Sequence, residues 1–123
     1  MAAYEKALEV YTWAQLPQDW ARTQNNLGSA LSELGIRMRG EEGRQKLSQA
    51  VAAYEEALEV RTKESLPRQW AQTHTNLAVT ATALEDWEKA VISYRNVLGL
   101  YPDNVEVYLT TNGILHEKLL GLA

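Results

Sequence analysis

The chain contains no cysteine and only two histidines among its 123 residues. The absence of cysteine excludes a disulfide framework and any thiolate metal site, and it suits a reducing compartment such as the cytoplasm. His74 and His116 lie far apart, and no H-E-x-x-H or similar zinc motif is present. We therefore expect a cytoplasmic protein with no metal ligands and no cofactor.

Long apolar runs and an excess of basic residues are missing as well. No segment approaches the roughly 20 apolar residues of a membrane-spanning helix, and Met1 leads directly into the charged segment AAYEKALEV rather than into a signal peptide. The formal net charge is −4 and the isoelectric point is near 5.2. A general nucleic-acid binder needs a basic face. We expect neither a membrane nor a nucleic acid as a partner.

Catalytic motifs are also absent. The segment Gly40–Gly43 is not followed by the Gly-Lys-Ser/Thr of a phosphate-binding loop, and neither G-x-G-x-x-G nor G-x-S-x-G occurs. No spacing places a general base beside a nucleophile. The sequence predicts a protein that is not an enzyme and has no catalytic residues.

The chain does contain an internal repeat. Residues 2–35 return at 52–85, and 17 of the 34 paired positions are identical. Self-similarity at a fixed period is typical of stacked structural repeats. Apolar residues such as Tyr54, Ala57 and Leu58 recur at helical spacing with glutamates opposite. The repeated element is therefore an amphipathic helix.

Local signals divide the chain into helices and predict no strands. Pro17 and Pro67 suit a first helical turn, where the missing N–H costs no hydrogen bond. Asp86 is a predicted N-cap, and Asp103 begins a D-x-x-E capping box just after Pro102 interrupts the chain. The six predicted helices are 2–10, 18–35, 48–60, 68–85, 87–99 and 104–119.

A basic segment at 36–46 has no counterpart in the second copy. We expect Gly35 to end the preceding helix as an αL cap, and Gly40 and Gly43 to keep the segment irregular. Four basic residues there outnumber two glutamates. The segment is either a contact for an acidic partner or a solvated turn.

Residues 71–104 resemble one complete tetratricopeptide repeat, in which a 34-residue helix pair carries small and large apolar residues at set positions. The matching residues are Leu77, Ala78, Ala90, Tyr94 and Pro102. Residues 21–64 resemble a second unit through Leu27, Gly28, Ala50, Tyr54, Ala57 and Leu58. This resemblance implies an all-α fold, a right-handed α-solenoid of antiparallel helix pairs. It implies one domain over 1–123, divided into 1–14 (second helix of a truncated repeat), 18–64 (a repeat with the inserted loop 36–46), 68–102 (a repeat) and 104–120 (a capping or further first helix).

The resemblance also implies a concave face that binds a protein or peptide. Its ligand-facing residues would be Arg22, Asn25, Asn26, Ser29, Glu33, Gln72, Thr75, Asn76, Val79 and Ala83. Asn26 and Asn76 stand directly before a leucine in both copies, which is similar to the asparagine ladder of kinesin light chains and spindle-orientation adaptors. Alternatively, these two asparagines bond across helices inside the array.

The sequence thus predicts a scaffold for a protein or peptide ligand. One alternative is a sensory array of a larger signalling enzyme, because P-x-x-W-A-x-T-x-x-N-L resembles repeats of bacterial proteins of that kind. Another is a structural repeat that assembles with itself. The apolar stripe of Tyr4, Ala7 and Leu8 lacks half its cover, which predicts a fragment of a longer array and a homodimer through the terminal helices.

Overall fold

The computed structural model describes residues 2–10 and 15–121. In these ranges the chain forms six α-helices, one π-helical turn at Leu115–Leu119 and no strand. The prediction of an all-α fold with six helices is confirmed. Residues 11–14, part of the predicted first unit, lie outside the described ranges. The helices are α1 (Ala2–Val10), α2 (Pro17–Met38), α3 (Gly40–Ala57), α4 (Pro67–Ala83), α5 (Trp87–Leu100) and α6 (Val105–Ile114).

Local sequence signals set most helix ends. Pro17 and Pro67 occupy the first turns of α2 and α4, as predicted. Asp86 caps α5, since its carboxylate accepts the backbone N–H three residues later at 3.2 Å. The capping box predicted at Asp103 is wrong, because that residue still lies in the turn before α6. Asn104 is the cap instead, and its Oδ1 accepts the N–H three residues later at 3.1 Å.

The segment 36–46 is helical except at one residue, so the expected irregular loop is wrong. Arg39, with φ of 58°, alone separates α2 from α3. Consequently α2 and α3 have 22 and 18 residues, whereas α4 and α5 have 17 and 14. The insertion lengthens a helical hairpin, and its side chains Arg37, Arg39 and Arg44 are exposed at the tip.

Close packing explains why glycines do not break this hairpin. Gly35 lies inside α2 and caps nothing. A Cβ atom on Gly35 would lie 2.7 Å from Leu47 Cγ, and one on Gly43 would lie 2.5 Å from the Gly35 carbonyl oxygen. The two glycines therefore let the backbones of α2 and α3 meet, a tertiary role that outweighs their weak helix propensity.

The antiparallel helices α2 and α3 are also in close contact at Gly28. A Cβ atom there would lie 2.7 Å from Cε1 of Tyr54. The Tyr54 ring is 2% exposed, and its hydroxyl donates to Ser29 Oγ at 3.1 Å. Further along, Gln24 Nε2 donates to Glu56 Oε2 at 2.8 Å. The interface leaves no room for a side chain at residue 28.

Helix α4 lies between two apolar clusters. Leu77 completes the cluster of α2 and α3, whereas Ala78 and Ala81 belong to the cluster of α5 and α6. Each helix pair thus buries its apolar face against its neighbour. The buried members are Leu31, Ala50, Val51, Tyr54 and Leu77 in the first cluster, and Ala78, Ala81, Ala90, Val91, Tyr94, Val97, Val107 and Ile114 in the second.

The ends of the helical stack are less covered. Helix α1 packs on α2, but Tyr4, Ala7 and Leu8 are only half-buried. The division into units 18–64 and 68–102, with partial units at either side, stays a prediction.

No described helix is both long and apolar enough to cross a membrane.

His74 lies half-buried between α4 and α5. Its Nε2 is 3.4 Å from Asn96 Nδ2 and its Nδ1 is 3.3 Å from Ser93 Oγ. An amide nitrogen only donates, so Nε2 accepts and Nδ1 carries the proton. Burial lowers the pKa of His74 from its ordinary value. The Trp70 ring packs edge-on against the imidazole, with 4.8 Å between the ring centroids. These contacts suit a neutral imidazole.

Replacing Gly28 with alanine tests the contact with Tyr54. The added methyl group should clash with the buried ring and lower the free energy of unfolding by about 1–3 kcal/mol. The matched control is Gly99→Ala in α5, where nothing lies within 4 Å. There the gain in helix propensity should raise stability by about 0.5–1 kcal/mol. Urea denaturation measures both, and a stabilising Gly28→Ala would contradict the close contact.

The site of His74 predicts a pH-dependent stability. Because its pKa is lowered by folding, the unfolded chain takes up a proton first as the pH falls through about 6.5, and the folded state loses stability. The His74→Gln variant has no imidazole at this site, so its stability should not fall for this reason. As the pH is lowered from 7.5 to 5.5, we expect the free energy of unfolding of the wild type to fall relative to that of His74→Gln. An unchanged difference in urea denaturation would exclude the effect.

Candidate functional site

The exposed residues of α2 and α4 form a stripe on each helix. On α2 the exposed side chains include Arg22, Asn26 and Glu33, and on α4 they include Gln72 and Val79. Spacings of four, seven and eleven residues place side chains on the same face of a helix. Ala83 is exposed at the end of the α4 stripe. These six predicted residues therefore lie on accessible surface.

Asn25 does not belong to this surface, and its predicted ligand-facing position is wrong. It is 4% exposed, and its Oδ1 accepts Thr73 Oγ1 at 3.0 Å and Asn76 Nδ2 at 3.4 Å. Ser32 Oγ and Thr80 Oγ1 form a second buried hydrogen bond at 2.8 Å in the same interface. Asn25 faces α4 rather than solvent because it lies on the side of α2 that packs against the next pair.

Three further predicted residues lie at the edge of the stripes and are half-buried. Ser29 accepts the Tyr54 hydroxyl at 3.1 Å, and Thr75 Oγ1 donates to the Ala71 carbonyl at 2.9 Å. Asn76 Nδ2 donates to Oδ1 of the buried Asn25, between α4 and α2. Part of the hydrogen-bonding capacity of each is therefore used within the protein.

The two asparagines that both copies keep are therefore not equivalent. Asn26 is exposed, and no hydrogen bond joins its side chain to a described residue. Asn76 bonds across helices, as the alternative interpretation holds, although its carbonyl oxygen and second N–H stay available. An asparagine ladder would use one free amide and one half-used amide.

Two open clefts adjoin along the N-terminal halves of α2 and α4 and reach Asn104, just before α6. The first cleft, about 440 Å³, lies between the first turns of α2 and α4 and is lined by Arg22. The second cleft, about 530 Å³, lies between α4 and the start of α6 and is lined by Gln72 and Thr75. Gln69 lines both. The two clefts share this residue, and together they are called the groove below.

Arg61 lines the first cleft and was missed by the sequence reasoning. It is 6% exposed, and its Nη1 donates to Gln72 Oε1 at 3.3 Å and to Thr73 Oγ1 at 3.1 Å. Burial lowers the pKa of Arg61, and the positive charge of Arg22 lowers it further. Arg61 is at the position where the first copy of the repeat has Tyr11. This difference between the two copies is the sequence signal that could have pointed to Arg61.

The chemistry of the groove is that of recognition. It offers amides, hydroxyls and guanidinium groups, which donate and accept hydrogen bonds along an extended chain. Across the described parts of the chain, no cluster of three or more histidine, aspartate or glutamate side chains is arranged to hold a metal ion.

Comparison with known proteins supports the helical-repeat architecture. Searches of curated proteins and of solved structures each gave no significant match, so the specific likenesses to kinesin light chains and to bacterial signalling arrays stay predictions. The family model described as tetratricopeptide repeat matches residues 71–104, which contain most of α4 and all of α5. Residues 71–104 therefore match a tetratricopeptide repeat.

Proposed function

We propose that this protein is a scaffold that binds a peptide or protein segment along the groove between α2, α4 and the N-cap residue of α6. Tetratricopeptide repeats generally mediate protein–protein interactions and are typically non-enzymatic. The observation that carries the proposal is the pair of clefts that share Gln69, with Arg22, Gln72 and Thr75 on their walls.

The polar stripes suit an extended ligand. The amides of Asn26, Gln72 and Asn76 can pair with a peptide backbone whatever its side chains. Val79, 47% exposed, adds an apolar contact on the same helix face as Gln72. The proposed concave surface therefore combines backbone recognition with one apolar anchor, and Asn25 has no part in it.

Displayed random peptides selected on the purified protein provide the test. We expect Val79→Asp to weaken a selected peptide about tenfold or more, because a carboxylate would replace the apolar contact. The matched control is Ile92→Asp on α5, since Ile92 is an exposed β-branched residue outside the stripes of α2 and α4. Isothermal titration measures the affinities.

The same variants separate binding from folding. Both Val79 and Ile92 are exposed, so neither substitution should change the melting temperature appreciably. Equal affinity losses in the two variants, or selected peptides that shift no groove residue in a ¹H–¹⁵N spectrum, would contradict the proposed site.

Self-association is a second candidate function, favoured by the exposed apolar face of α6. Val105, Tyr108 and Leu109 are 65%, 53% and 62% exposed, and no described helix covers them. Adjacent apolar side chains of this exposure mark interaction surfaces. Two of them, Leu109 and Val105, lie four residues apart on one face of the helix.

Helix α1 also has an apolar face that is only partly covered. Its sequence AAYEKALEV repeats the AAYEEALEV of residues 52–60. Tyr54 and Ala57 are buried in α3, whereas the equivalent Tyr4 and Ala7 are half-buried in α1. We propose that α1 of one copy packs on α6 of another, as a second helix packs on a first helix within a unit, which gives a head-to-tail contact.

Sedimentation over a range of concentrations tests this association. We expect the wild-type protein to associate as concentration rises and Leu109→Asp to remain monomeric, since burying the new carboxylate is unfavourable. Ile92→Asp is the matched control because Ile92 and Leu109 are 61% and 62% exposed. A wild-type protein that stays monomeric at every concentration would exclude the contact.

A further inference from the structure

A buried cation without an anionic partner lies beside the first cleft. Arg61 is 6% exposed, and its recorded hydrogen bonds reach the neutral side chains of Gln72 and Thr73. No ion pair among the described residues includes Arg61. The undescribed residues 11–14, Tyr-Thr-Trp-Ala, contain no acidic side chain.

Such a charge is unusual in a folded protein. Arginine is rarely this buried unless it is paired, because removing its charge from water is costly. Here the charged group that acts on Arg61 is Arg22, and the effect of that positive charge is to lower the pKa of Arg61. Arg61 and Arg22 both line the same cleft. The local field therefore favours the arrival of an anion.

The backbone around the cleft adds to this field. The first turns of α2 and α4 adjoin it through Gln18 and Gln69. Neither helix has a side chain that caps its N-terminus, and the free N–H groups of a first turn carry partial positive charge. Asp19 opposes an anion, since it pairs with Arg22 at 2.7 Å on the exposed rim. Arg61 lacks such a competitor.

We infer that the first cleft binds the oxyanion of an acidic peptide, a carboxylate or phosphate group held between Arg61 and Arg22. The inference rests on the proposed peptide-binding function. Guanidinium groups suit both oxyanions because their planar N–H pairs match two oxygens at once. Since the second cleft continues the groove, an acidic residue held at Arg61 would set the register of the bound peptide.

Titrations with inorganic phosphate and with acetate, at constant ionic strength, test the site. We expect saturable shifts at the Gln18 and Gln69 amides in ¹H–¹⁵N spectra. Arg22→Gln should weaken the binding about tenfold, the usual effect of one charge-assisted hydrogen bond. Arg95→Gln on α5 removes the same charge from an exposed position elsewhere and should leave the affinity unchanged.

A second variant addresses Arg61 directly. Arg61→Lys keeps the charge but loses the planar pair of donors, so binding should weaken by at least as much as in Arg22→Gln. If Arg61→Lys does not fold by circular dichroism, the exposed Arg22→Gln and Arg95→Gln still decide the result. Shifts that do not saturate, or equal losses in Arg22→Gln and Arg95→Gln, would overturn the site.

Peptides distinguish the source of the oxyanion. Selected peptides are compared with a glutamate, a glutamine or a phosphoserine at each position, and with a free or amidated C-terminus. If one acidic form binds more strongly and Arg22→Gln abolishes that preference, the preferred form shows whether the bound group is a carboxylate or a phosphate. Peptides that bind without any acidic preference would overturn this inference and leave the proposed function intact. Anion binding without peptide binding would overturn the proposed function and the peptide source of the anion.

Discussion

The ring of Tyr54 lies against the bare backbone of Gly28, and this contact sets the distance between α2 and α3. Gly35 and Gly43 keep the backbones equally close at the far end of the hairpin. A rigid pair of helices is the unit on which α4 packs, because Leu77 fills the cluster that Tyr54 and Leu31 begin. Helical stacks of this kind transmit their geometry from neighbour to neighbour.

A polar interface between α2 and α4 orients the groove. Thr73 accepts from Arg61 and donates to Asn25, which also accepts from Asn76. Such directional bonds specify one register between helices more strictly than apolar contacts do. The same chain of hydrogen bonds holds Arg61 at the cleft wall, so the structural interface and the proposed anion site share a residue.

Burial and exposure divide the molecule into functional parts. The groove side of α2 and α4 is polar and open, which suits a ligand that comes and goes. The apolar face of α6 is exposed at Val105 and Leu109, which suits a helix as its partner. The side chains proposed for ligand binding and those proposed for self-association are therefore different.

Local chemistry explains what the sequence predicts well. Proline in a first turn, an aspartate at a cap and apolar residues at helical spacing each act within a few residues, so the six helices and the resemblance of 71–104 to a tetratricopeptide repeat are readable from the chain. The exposed part of the candidate site, including Arg22, Asn26 and Val79, follows from the resemblance to that family.

Only the tertiary structure decides which way neighbouring residues face. Asn25 and Asn26 are adjacent, yet about 100° of helical rotation separates them, and the packing of α4 buries one and exposes the other. Gly35 and Gly43 look like helix breakers until a second backbone lies against them. Arg61 is an ordinary turn residue in sequence, and its charge becomes significant because α2 and α4 enclose it. The sequence by itself determines the helices and their repeat, whereas long-range packing determines the hairpin, the buried interface and the charged cleft.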